Sequence, residues 1–174
     1  KYNGLKLVKA LKAAHPDKKI LVDLKTMDAG EYEATPFFEA GGDITTVLGA
    51  SDEATMKGVI KAANANNAEA QIDLIGVEDK SAVAKQAAAN GAHIIGVHTG
   101  LDAQAAGQTP FEDLKTIAGL GLNVKVSVAG GINKDTIQST VRAGADIVVV
   151  GAAIYGAPSP AESAKELRAL VDAA

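Results

Sequence analysis

Ser127-Val128-Ala129-Gly130-Gly131-Ile132-Asn133 and Val149-Val150-Gly151-Ala152-Ala153 are the stretches on which the reading of the fold turns. In each, a short β-branched run gives way to small residues and then to a segment that can start a helix. Small side chains leave backbone N–H groups open to an anion, and a helix start adds a favourable dipole. One such loop is an ordinary turn. Two at the ends of consecutive units match the phosphate site that (β/α)-barrels build after strands seven and eight. Gly130, Gly131, Gly151 and Ala152 are therefore the candidate phosphate cradle.

Working back from these loops, apolar runs recur at Ile20–Leu24, Ile44–Leu48, Ala70–Ile75, His93–Val97, Val124–Val128 and Ile147–Val150. Each is apolar on both faces, as a parallel strand covered by helices requires. Between them lie Ala-rich stretches with apolar positions at helical spacing, such as Leu5, Val8 and Leu11 in a leading helix at Gly4–Ala14. Phe37 and Phe38 cap a second stripe. Gly41-Gly42-Asp43, Gly91-Ala92-His93 and Gly144-Ala145-Asp146 each end a helix and enter a strand, with glycine at the left-handed C′ position. Ser51-Asp52-Glu53 and Asn133-Lys134-Asp135 supply capping side chains and early acids at helix starts. Such strands, joined by right-handed crossovers, form either an open, doubly wound sheet or a barrel. With the glycine loops counted as seven and eight, the expected fold class is α/β, a (β/α)8 TIM barrel of which six βα units, strands three to eight, are present. Residues 1–174 are expected to form one such domain, incomplete at its N-terminus.

Composition agrees with that architecture. Of 174 residues, 47% are hydrophobic but only 3% aromatic, so the core is built from Ala, Val, Ile and Leu. A net charge of -4 with scattered basic residues speaks against a nucleic-acid or membrane-surface partner. Without cysteine there is no disulfide, which fits a reducing, cytoplasmic setting. No apolar run approaches the roughly 20 residues of a membrane span, and no signal peptide is visible.

In a parallel α/β fold, functional groups gather at the C-terminal ends of strands. The first strand ends in Asp23-Leu24-Lys25-Thr26-Met27-Asp28, where period two puts Asp23 and Lys25 on one face. A lysine between carboxylates stays protonated and can stabilise an anion, and a carboxylate can hold a hard divalent cation. Taken alone, a solvent-facing ion pair is the plainer reading; directly after an Ile-Leu-Val strand, the Asp-x-Lys-x-x-Asp run points to a site. Asp73 interrupts the apolar run of the third strand and calls for a lysine or metal partner. His98, at the end of the fourth strand, is the acid/base candidate, since imidazole titrates near neutrality. His15, on a loop beside Pro16, reads as structural. His93 carries no assigned role, and Asp102 suits a loop cap as well as a site.

These residues, taken with their neighbours, resemble the 3-hexulose-6-phosphate synthase branch of the orotidine-5′-phosphate decarboxylase superfamily. The matching stretches are His15-Pro16-Asp17-Lys18, Asp23 to Gly30, Thr46-Val47-Leu48-Gly49, Ile72 to Gly76, His98 to Ala105, Ser127 to Ile132 and Val149 to Gly156. They run in order along essentially the whole chain. The related 3-keto-L-gulonate-6-phosphate decarboxylases have an arginine where Leu101 stands and a glutamate where Asp73 stands; both departures favour the synthase branch. The resemblance implies a carbon-carbon lyase of the ribulose monophosphate pathway, an aldolase joining ribulose 5-phosphate and formaldehyde through an enediolate. It implies Mg²⁺ as cofactor, with Asp23 as its ligand, Lys25 on the enediolate oxygens, His98 shuttling the proton and Asp73 positioning substrate. It further implies a homodimer in which Asp28 reaches the neighbouring subunit's site.

Family chains begin with a further strand, helix and strand that bring an Asp and a metal-holding Glu. Lys1-Tyr2-Asn3-Gly4 corresponds to the loop after that second strand, so roughly an eighth to a quarter of a barrel is expected ahead of Lys1. Strands three and eight would otherwise keep unpaired apolar edges. Beside the synthase stand two alternatives: the decarboxylase reaction, and a noncatalytic sugar-phosphate-binding fragment.

Overall fold

The computed structural model describes residues 4–174; the expectation resting on Lys1-Tyr2-Asn3 lies outside the described residues. Packing divides the chain into two compact units, Lys1–Ile95 and Gly96–Ala174.

The first unit runs α1 (Gly4–Ala14), β1 (Leu21–Thr26), α2 (Gly30–Glu39), β2 (Ile44–Leu48), α3 (Glu53–Ala65), β3 (Glu69–Asp73) and α4 (Lys80–Ala89), and the division falls within β4 (Ile94–His98). β1, β2 and β3 pair in parallel in chain order, with Leu21 opposite Ile44 and Ile44 opposite Glu69. Helix-facing strand residues such as Val47, Ala70 and Ile72 are wholly buried, as are Val59 and Ala63 of α3. Small residues set the spacing of the helices. A Cβ on Gly30 would lie 2.1 Å from the Thr55 carbonyl oxygen, so α2 starts in direct backbone contact with α3. Of the α1 stripe only Val8 is buried, while Leu5 and Leu11 remain more than a third exposed. β1 pairs with β2 alone among the described residues, so α1 lies at the rim of the sheet and covers less of it than an interior helix does.

Strand β1 is irregular where it matters. Val22 pairs with Thr45 and Thr26 with Val47, so β1 spends four residue steps where β2 spends two. Lys25 sits in this bulge at φ 47°, in the left-handed region that a side chain makes unfavourable. β3 is shorter than its apolar run suggests. It stops at Asp73 because that side chain turns back to accept the Ile75 N–H at 2.9 Å.

The second unit contains α5 (Leu101–Ala105), α6 (Phe111–Gly119), β5 (Lys125–Ala129), α7 (Ile137–Arg142), β6 (Ile147–Val149), α8 (Ala152–Tyr155) and α9 (Pro160–Asp172). β5 and β6 pair in parallel, Ser127 opposite Ile147 and Ala129 opposite Val149. Leu114, Ile117, Val128, Ile137 and Leu167 form the buried apolar core of this unit. Asn133 opens the turn before α7 by accepting the Asp135 N–H at 2.9 Å. Asp52 stands at the N-cap of α3 without a side-chain cap bond, so the capping expected there rests on its position alone. Among the described residues no helix is long and apolar enough to cross a membrane.

The three glycine-led strand entries share one device. Asp43 accepts the Ile20 N–H at 2.7 Å and returns its own N–H to the Ile20 carbonyl at 2.9 Å. His93 does the same with Ala70, its Nδ1 accepting at 3.1 Å and its N–H donating at 3.3 Å. Asp146 repeats it with Val126, at 2.8 and 2.9 Å. Each side chain satisfies a strand-start N–H that the ladder leaves open, and each follows a glycine at positive φ. We expect Asp146→Ala to cost about 1–3 kcal/mol in urea unfolding, and Asp146→Asn, which keeps an acceptor, to cost clearly less. Equal losses in the two would show that the acceptor contributes nothing.

Candidate active site

The first unit assembles a charged cluster at the C-terminal ends of its strands. Lys25 Nζ donates to both Asp23 oxygens, at 2.9 and 2.8 Å, and to Asp73 Oδ2 at 3.0 Å. Asp73 is almost fully buried, its other oxygen taken by the Ile75 N–H, while the Asp23 side chain is about half exposed. The lysine partner expected for Asp73 is thus Lys25, brought across β2 by the bulge in β1. Burial works against the Lys25 ammonium, but hydrogen bonds to Asp23 and Asp73 and their negative charges outweigh it, and the group is held above the ordinary lysine range. The stability this cation lends is complete below about pH 10.4 and is lost as pH rises through its raised folded value. A fixed, partly dry cation beside a half-exposed carboxylate suits the stabilisation of a transient anion.

Thr46 completes the cluster and escaped the sequence reading. Its hydroxyl accepts the Lys25 N–H at 2.9 Å and donates to Asp23 Oδ1 at 2.7 Å. A threonine in an apolar strand is ordinary, and only the register of β1 on β2 singles this one out. Asp28 is exposed on the loop before α2, its carboxylate accepting the Ala29 N–H at 2.7 Å. None of the bonds described for it reaches Asp23, Lys25 or Asp73. Among the described residues no three His, Cys, Asp or Glu side chains converge as a metal-binding group.

The second unit carries a cleft of about 260 Å³ lined by His98, Gln104, Gly130, Gly131, Gly151 and Ala152 among others. His98 and the four small residues picked out as a phosphate cradle therefore meet in one place. Gly130 has φ 116°, and a Cβ there would stand 2.5 Å from the Thr99 carbonyl oxygen. Gln104, a second residue the sequence reading left without a role, donates from Nε2 to that same oxygen at 2.7 Å. It thereby closes the turn between β4 and α5, against which Gly130 packs. Ser163 Oγ donates to the Ala153 carbonyl at 2.7 Å and anchors α8, hence the Gly151 loop, on α9. Leu101 and Tyr155 also line the cleft and are largely exposed. Asp102 stands exposed in the first turn of α5.

A parallel α/β chain with a clamped lysine and a glycine-lined cleft is what the geometry gives, and comparison with known proteins defines the class. The chain belongs to the orotidine 5'-phosphate decarboxylase / HUMPS family, whose model matches residues 1–167. It is 62% identical over 170 residues to the 3-hexulose-6-phosphate synthase of Methylomonas aminofaciens, spanning 98% of this chain and 81% of that relative. The crystal structure of 3-hexulose-6-phosphate synthase from Salmonella typhimurium matches with a TM-score of 0.94 at 37% identity, covering 98% of this chain and 81% of the other. That of 3-keto-L-gulonate-6-phosphate decarboxylase from Vibrio cholerae matches at 0.83 and 30% identity, covering 98% and 79%.

Proposed function

We propose that this chain is an aldolase that joins ribulose 5-phosphate and formaldehyde to give D-arabino-hex-3-ulose 6-phosphate, and runs the reverse. The observation that carries the reading is the Lys25 ammonium clamped between Asp23 and Asp73. Removing a proton from the carbon beside the ketone leaves an enediolate, and a fixed cation lowers the cost of that charge. His98 takes this proton; the carbanion carbon then forms a bond to formaldehyde, and His98 returns a proton to the formaldehyde oxygen. Asp73 positions the substrate and keeps Lys25 aimed. Gly130, Gly131, Gly151 and Ala152 hold the phosphate with backbone N–H groups. The higher identity to the synthases and the presence of Leu101 and Asp73 support this reaction over the decarboxylation.

Asp23 suits Mg²⁺, which binds through one or two carboxylates and keeps the rest of its shell as water and substrate oxygens. Its side chain is half exposed, which leaves lone-pair directions open beside those used by Lys25 and Thr46. Bound there, Mg²⁺ would supply Lewis-acid stabilisation of negative charge on the substrate. Three further features belong to the same reading: the six βα units as strands three to eight of an eight-stranded barrel, a cytoplasmic setting, and a homodimer in which Asp28 serves the neighbouring site.

The test is formaldehyde loss with ribulose 5-phosphate, with and without Mg²⁺. We expect Mg²⁺-dependent loss, and we expect Asp23→Ala to abolish both turnover and the metal dependence while ribulose 5-phosphate still binds. An Asp23→Ala protein as active as the parent would overturn the metal assignment. A parent that binds the sugar phosphate without turnover would be a binding protein instead.

A further inference from the structure

Strand β2 contains two consecutive threonines that face opposite ways, and they differ in what their hydroxyls do. Thr45 is wholly buried, and its Oγ1 has no partner; the same holds for Thr26 on β1. In those two positions the residue serves as a β-branched filler, and the hydroxyl is incidental. Thr46 is just as buried, at 1% exposure, but both halves of its hydroxyl are used. A lone pair receives the Lys25 N–H and the single proton goes to Asp23 Oδ1. The polarity of this arrangement is forced: an N–H can only donate and an ionised carboxylate can only accept.

The Lys25 N–H needs that acceptor because of the bulge. Lys25 lies inside the register slip between Val22 and Thr26, and the acceptor its N–H meets on β2 is a side-chain oxygen rather than a ladder carbonyl. The Thr46 hydroxyl satisfies a backbone donor of the bulge. Lys25 is thus held in its left-handed conformation at the backbone by the same atom that fixes the carboxylate its ammonium grips. Without the hydroxyl, the bulge can relax toward regular strand geometry and Asp23 loses one of the groups that fix its carboxylate.

We infer that Thr46 is a positioning residue for the reaction, setting Asp23 and the backbone of Lys25 in one geometry through a single hydroxyl. The inference rests on the aldolase reading above. Thr46 does not touch the reacting atoms in this account, so its loss should appear in kcat and leave substrate capture alone.

Thr46→Val removes the hydroxyl at nearly constant shape, and Thr46→Ser keeps it. We expect Thr46→Val to lower kcat about 10- to 100-fold, the range typical of partners that orient a ligand or catalytic group, with KM for ribulose 5-phosphate changed less than about twofold. Exchange of the Lys25 amide hydrogen, followed by NMR, should accelerate at least about tenfold in Thr46→Val, because its acceptor is gone. Thr46→Ser should restore both. Parental kcat together with unchanged Lys25 exchange in Thr46→Val would overturn the inference. So would equal damage in the valine and serine variants, which would mark Thr46 as packing only. A parent chain that consumes no formaldehyde would sink the aldolase reading by itself, and the amide exchange on the same samples would still decide whether Thr46 anchors Lys25.

Discussion

Lys25→Met is expected to lower kcat about 100- to 1000-fold, the size of effect seen when one preorganised donor to a developing anion is removed. The same change should destabilise the fold, for a separate reason. Asp73 is 2% exposed and would lose the ammonium that donates to its Oδ2, while its Oδ1 keeps the Ile75 N–H. Leaving a buried acceptor short of its partner costs about 1–3 kcal/mol, and more for a charge. Lys25 is itself a third exposed, so water screens part of that loss. A buried carboxylate that has lost a cationic partner favours protonation, so the destabilisation should be larger at neutral than at acid pH. Urea unfolding at the two pH values, beside turnover, reads both effects. If Asp28 serves the neighbouring subunit, mixing inactive Lys25→Met with inactive Asp28→Ala should restore part of the activity through hybrid dimers. Parental kcat in Lys25→Met would remove the central element of the mechanism.

The second large effect is expected at Gly130. An alanine there must adopt φ 116° and place its Cβ 2.5 Å from the Thr99 carbonyl oxygen. Backbone strain and overpacking each cost on the order of 1–3 kcal/mol, and the loop can escape only by moving. Because that movement displaces the N–H groups proposed to hold phosphate, affinity for ribulose 5-phosphate should fall about 100-fold by calorimetry. Gly151→Ala is the control. Gly151 has negative φ, and the nearest atom to an added Cβ is Tyr155 Cε1 at 3.4 Å, an ordinary contact. That variant should fold like the parent and lose far less affinity. Unimpaired binding by the folded fraction of Gly130→Ala would falsify the phosphate assignment.

The alternation of strand and helix was legible because a buried parallel strand and an Ala-rich helix leave different periods in the chain. Helix α1 begins and ends where its pattern does, and the glycine-led strand entries are where the helices stop. The link between Asp73 and a lysine was legible as a need, since an apolar strand cannot hold a lone carboxylate. What stayed hidden depends on register. Nothing in Asp23-Leu24-Lys25 announces that the strand slips by two residues against its neighbour. Thr46 therefore could not be told from Thr45, although one hydroxyl is fully used and the other has no partner. Gln104 was hidden for a related reason: its partner, the Thr99 carbonyl, is a backbone atom that every residue possesses. His93 shows the converse. The sequence assigns it no role, and geometry gives it the same structural duty as two aspartates.

That shared duty divides the chain in an unexpected way. The side-chain clasps tie β1 to β2, β3 to β4 and β5 to β6. At the step from β2 to β3 the bonds described are of another kind: the Glu69 N–H goes to the Asp43 carbonyl and its carboxylate to Lys19. The natural building block is then not the single βα step that the strand count suggests but a βαβ phrase, spoken three times. Tolerance to nicking, permutation or recombination should follow the phrase. Seams that fall between phrases leave each pair of strands whole, and seams inside one sever it.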